Sequence, residues 1–152
     1  HWDEEPVLLR HHPGAHTAAT WLQYDAEKLL FVGDSVMLNQ PPFLQWANLD
    51  LWIKDLRTLM ADIYKGYTIV SGRNGVVRRK SIEKWMNYLT NLKDAVDEIA
   101  DGDGGVPDLI SGVPDLLKKL NFNKSLSNLY NQRLTWGLEA YYRRHYLEKD
   151  VF

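Results

Sequence analysis

Cysteine is absent from the 152 residues, which excludes disulfides, thiolate metal sites and cysteine nucleophiles and leaves the redox compartment open. No apolar run approaches the roughly 18 residues of a membrane span, so no membrane partner is expected. Neither sign of charge dominates. The balance of 18 basic and 20 acidic side chains, net -2, excludes a globally basic nucleic-acid binder. At 45% hydrophobic content an acidic disordered tail is excluded as well. Internal repeats and low-complexity stretches are missing. The chain starts at His1 with neither an initiator Met nor a basic-then-apolar leader, so a trimmed product or the later part of something longer is expected. What remains is an ordinary globular composition with six tryptophans and eight tyrosines, long enough for a single unit with a substantial core.

Hydrophobic spacing divides the chain into β and helical parts. Pro6–His12 reads as a short strand stopped by Pro13-Gly14, a turn signal. Ala18–Tyr24 and Leu29–Val32 flank the polar turn Asp25–Lys28 and should pair as an antiparallel hairpin. The continuous run Leu29–Val32 has the look of a strand buried on both faces. Residues 35–46 read as a loop. Leu49, Trp52, Ile53, Leu56, Leu59, Met60 and Ile63 line one face of a helix over Asn48–Tyr64. Tyr67–Val70 follows as a strand, with a turn over Ser71–Gly75. A second helix is expected over Ser81–Ala100 with Ser81 as N-cap, then a flexible joint at Asp101–Gly105. A short helix over Pro114–Leu120 and a long one over Lys124–Glu148 complete the order. The expected class is α+β: one sheet with helices on one face, leaving the other face apolar and bare unless a second layer covers it.

Two groups of side chains carry chemical potential. His1, His11, His12 and His16 crowd the first sixteen residues, and neutral imidazole is the commonest metal ligand. The same residues also read as ordinary turn and edge histidines. Asp34 leaves the end of the Leu29–Gly33 run, where a desolvated carboxylate needs a metal, a cation or backbone N–H groups; a turn aspartate bonding its own backbone fits equally. Weaker signals are the Asp101–Gly105 run, whose twelfth position is Gly112 rather than the Glu of a calcium loop. The basic Val77–Lys80 stretch reads as a solvated face, and a copper-chelating His1 as a minor alternative.

Taken together, Pro13-Gly-Ala-His-Thr17 and Lys28-Leu-Leu-Phe-Val-Gly-Asp34 resemble the metallo-β-lactamase superfamily. Pro42-Phe43 with Asn48–Leu56, then Thr68–Gly72, Trp85–Leu89 and Gly137–Tyr141, continue the resemblance in order over roughly residues 5–148. The resemblance implies the C-terminal half of an αββα sandwich. The superfamily's His-x-His-x-Asp-His motif, which belongs to the N-terminal half, has no counterpart here.

By the same resemblance, His16 matches a histidine of the first metal and Asp34 the carboxylate that bridges two metals, with zinc or a similar divalent ion as cofactor. Arg73 stands where the second metal's histidine is expected. A guanidinium cannot ligate, so Arg73 reads as a metal-replacing cation beside Asp34, or as a solvated turn residue. Ala18-Ala19-Thr20 lacks the Gly or Asp that relatives often carry after His-Thr. Two functions follow from the resemblance. One is a metal-dependent hydrolase of a small-molecule ester, lactone, thioester or amide, to which this chain contributes part of the metal site. The other is a non-catalytic binding or assembly module with a decayed site. Either way the expected partner is the missing N-terminal half or a complementary chain.

Overall fold

A computed structural model describes residues 4–147. His1, the copper candidate, and Glu148, the expected end of the last helix, lie outside the described residues. The class is α+β, a five-stranded mixed sheet with helices. The chain forms two compact units, one from the residues up to Leu38 with Asn48–Asn87, the other from Asn39–Ala47 with Tyr88 onward.

The first unit holds strands β1 (Val7–His11), β2 (Thr20–Tyr24), β3 (Leu29–Gly33), β4 (Thr68–Ser71) and β5 (Gly75–Val77), side by side in chain order. β1–β2 and β2–β3 are antiparallel; the short polar turn Asp25–Lys28 closes the second pair, whereas residues 12–19 join the first. Lys28 closes the second hairpin with φ 51° and donates its N–H to the Asp25 carbonyl at 3.2 Å. β3 and β4 run parallel, so their connection must cross over, and helix α1 (Leu49–Leu59) lies in it. Asn48 caps α1 by accepting the Leu51 N–H at 3.0 Å.

Alternation along the strands sorts the sheet into two faces. Trp21, Leu30, Val32, Ile69 and Val77 are buried on one face, and Trp52, Leu56 and Leu59 of α1 are buried in the same unit with Ile82 and Trp85 of helix α2 (Arg79–Asp101). On the other face, register aligns Leu9, Leu22, Phe31, Val70 and Val76 in one row across all five strands. Leu9 is 71% and Val76 69% exposed, and the three between them are half-buried. The expectation that Leu29–Val32 is buried on both faces is therefore corrected: Leu30 and Val32 are buried, whereas Leu29 and Phe31 are half-buried.

In the second unit, α2 continues and is followed by α3 (Val106–Ser111), α4 (Val113–Lys118) and α5 (Ser127–Tyr142), which widens into a π-helical turn over Arg143–Leu147. The segment Asn39–Ala47 lies along α5. A Cβ at Gly137 would sit 3.2 Å from Leu44 Cβ, the Arg133 guanidinium lies 4.4 Å from the Phe43 ring centre, and Arg144 donates to the Gln45 and Ala47 carbonyls. No helix among the described residues is long and apolar enough to cross a membrane.

Several expected boundaries shift. The first helix stops at Leu59; Ala61 is extended (φ -67°, ψ 161°), and a separate 3₁₀ turn, Asp62–Tyr64, carries Tyr64 to an edge contact with Trp21. α2 begins at Arg79, so Ser81 lies inside its first turn and donates its N–H to the Arg78 carbonyl instead of capping. β5 occupies the end of the expected turn, and α3 adds a helix.

Candidate functional site

The rim at the ends of β3 and β4 is built around Ser35. Gly33 takes a left-handed conformation (φ 53°) that turns the chain out of the sheet and presents Asp34. Three indoles hold the next residue. Trp21 donates to the Ser35 hydroxyl at 2.8 Å, while Trp52 and Trp85 donate to its carbonyl at 2.8 and 3.1 Å. Ser35 is 1% exposed, so these bonds form away from water and fix the turn that carries Asp34.

The β4 end is tied to the same turn. The Ser71 hydroxyl donates to the Val36 carbonyl at 2.6 Å and accepts the N–H groups of Arg73 and Asn74. The Asn74 side chain pairs with both the N–H and the carbonyl of Leu38, at 2.8 and 3.3 Å. Gly72 donates its N–H to the Gly33 carbonyl at 2.9 Å, and a Cβ there would meet the Gly33 backbone at 3.4 Å. This close approach leaves Arg73 directly over Asp34: Nε reaches Oδ1 at 3.1 Å and Nη2 reaches Oδ2 at 2.8 Å. Both side chains keep contact with water, at 39% and 45% exposure.

The histidine turn is anchored by α1. Gly14 lies flat against Trp52, where a Cβ would fall 2.2 Å from Trp52 Cα. Its carbonyl accepts the Asn48 N–H at 2.9 Å, and its N–H donates to Asp55 Oδ2 at 3.0 Å. The other Asp55 oxygen accepts His12 Nδ1 at 2.9 Å, and the His12 ring stacks on Trp21 with centres 3.5 Å apart. Trp52 thus holds both turns, Gly14 by its backbone and Ser35 by its indole.

The expected residues come together only in part. Arg73 and Asp34 form a pair. His16 is exposed, its Nδ1 accepting the Ala18 N–H at 3.1 Å, and no hydrogen bond or ion pair joins it to Asp34. His11 Nε2 is engaged with the Thr17 carbonyl at 2.6 Å. Among the described residues no three His, Asp or Glu side chains converge as a metal site. The donor set present does not fit a zinc ion by itself: one exposed imidazole, and one carboxylate whose two oxygens already face a fixed cation. No family model matches the chain, and no curated protein matches it.

Reading the sequence missed the His12–Asp55–Gly14 cluster and the Ser35 hub. Asp55 did carry a signal: it follows Trp52 by three positions and precedes Leu56, a carboxylate on the apolar stripe of α1. Such a residue needs buried partners, and His12 and Gly14 are they.

Proposed function

We propose that the chain is a metallo-β-lactamase-like half-domain that works by binding or assembly, its rim closed by an Arg73–Asp34 ion pair rather than by a metal ion. The carrying observation is the two-pronged geometry of that pair, 2.8 and 3.1 Å. A carboxylate that bridges two dications needs oxygen lone pairs free for both metals. Here one guanidinium faces both carboxylate oxygens, and a guanidinium offers no lone pair to a metal. The resemblance to the superfamily supplies the half-domain; the ion pair favours the module over the hydrolase.

The partner follows from the other sheet face. The row Leu9–Leu22–Phe31–Val70–Val76 spans five strands, about 20 Å at the usual strand spacing. A single helix, about 10 Å across, would cover only part of that width. A flat pleated surface of this breadth fits a second β-sheet presenting an apolar face, which packs about 10 Å away. That sheet belongs to an N-terminal complement of the same fold or to another chain.

Zinc content and hydrolysis of ester, lactone and thioester substrates, measured on the purified full polypeptide, test the function. Absence of stoichiometric zinc and of turnover is the expected result. One tightly held zinc per molecule with turnover would restore the hydrolase reading, with His16 and Asp34 as this chain's ligands.

A further inference from the structure

The second unit contains a cleft of about 530 Å³ between α4, the segment that follows it and the first turns of α5. This volume is that of a small-molecule site. Its apolar side is made by Leu117 and Phe122. Phe122 is held edge-on against Tyr130, ring centres 5.1 Å apart, so it presents a fixed aromatic wall. The same lining includes Lys118 and Lys124, with Asn128 and Asn131 one turn apart on α5.

The charges in this cleft have one sign. No carboxylate lines it. Lys118 is already engaged by Asp115 at 2.7 Å, outside the lining. Lys124 uses its backbone carbonyl to accept the Ser127 hydroxyl, and its ammonium has no partner among the described residues. The Asn128 and Asn131 carboxamides likewise have no partner among the described residues. An apolar wall in the same cleft as a cation and two amides without partners among the described residues matches a molecule with one flat apolar end and one anionic end.

We infer that this cleft binds a small amphiphilic anion, its aromatic or acyl body on Leu117 and Phe122 and its anionic group at Lys124 and the two asparagine amides. The site is separate from the Asp34 rim and does not depend on the reading given to that rim.

Phenyl phosphate is the probe, titrated into the full chain labelled with ¹⁵N, with inorganic phosphate and phenol as single-ended controls. The expected result is saturable movement of the Asn128 and Asn131 side-chain NH₂ signals below about 5 mM phenyl phosphate, with both controls weaker. Lys124→Gln, an exposed change that leaves the fold intact, should weaken binding about five-fold or more, since a charge-assisted contact is lost. Asn128→Ala should weaken it by a smaller factor. Unsaturated shifts, shifts elsewhere in the protein, or equal affinity in Lys124→Gln would overturn the site. Equal binding of inorganic phosphate would overturn the role given to the apolar wall.

Discussion

Replacing Asp55 by Ala removes the acceptor that ties the histidine turn to α1. In the native fold its two oxygens take His12 Nδ1 at 2.9 Å and the Gly14 N–H at 3.0 Å, with the His12 and Asp55 side chains only 13% and 12% exposed. The variant leaves a ring nitrogen and a backbone N–H without partners where little water reaches them. Each such orphan costs roughly 1–3 kcal/mol, so the two together cost about 2–6 kcal/mol. The relief from no longer burying a carboxylate places the expected loss near the lower end, about 3 kcal/mol. Urea denaturation followed by far-UV circular dichroism reads this directly, and amide hydrogen exchange at Gly14 should accelerate in parallel. Asp55→Asn keeps one acceptor oxygen and should lose about half as much. A value for Asp55→Ala within about 0.5 kcal/mol of wild type, the scatter of ordinary surface changes, would refute the idea that this cluster holds the turn.

Other consequences follow from single contacts. Gly14→Ala places a methyl 2.2 Å from Trp52 Cα, backbone against backbone, so a loss of at least about 3 kcal/mol in the same denaturation assay is expected. Leu9→Lys combined with Val76→Lys, at 71% and 69% exposure, should leave stability within about 0.5 kcal/mol while reducing self-association in sedimentation velocity; unchanged association would count against an assembly role for that face. Burial raises the pKa of Asp97, but the Lys93 ammonium and the Tyr146 hydroxyl bonded to the carboxylate outweigh it and hold the group below its ordinary value. A depressed carboxylate contributes stability above its unfolded pKa and loses it as pH falls through the folded one. Asp97→Asn should therefore flatten the fall in stability below about pH 4, which a series of acid denaturations would detect.

What could be read from the sequence follows from range. The β2–β3 hairpin and the stripes of α1 and α2 are local patterns, so the short polar turn and the 3-4 spacing reveal them directly. β5, at three residues, is too short for periodicity to register. The Arg73–Asp34 pair joins residues 39 apart in the chain, and it forms because parallel β3 and β4 end at the same rim. Only the resemblance pointed to it. Its stitching by Ser71 and Asn74, and the convergence of three indoles on Ser35, depend on tertiary placement that no spacing encodes. His16, read from the motif, bonds within its own turn through Nδ1, which accepts the Ala18 N–H.

On the proposed function, Arg73 holds, by its fixed charge, the place a metal ion would take beside Asp34. Zinc titration by isothermal calorimetry, comparing wild type with Arg73→Ala at equal ionic strength, tests it most directly. A dication held about 4 Å from a guanidinium is repelled by roughly 2 kcal/mol even at the dielectric of water. Removing Arg73 should therefore raise zinc affinity at Asp34 about 30-fold or more, and Asp34→Ala in the same background should abolish the gain. Equal zinc affinity in wild type and Arg73→Ala would contradict the account.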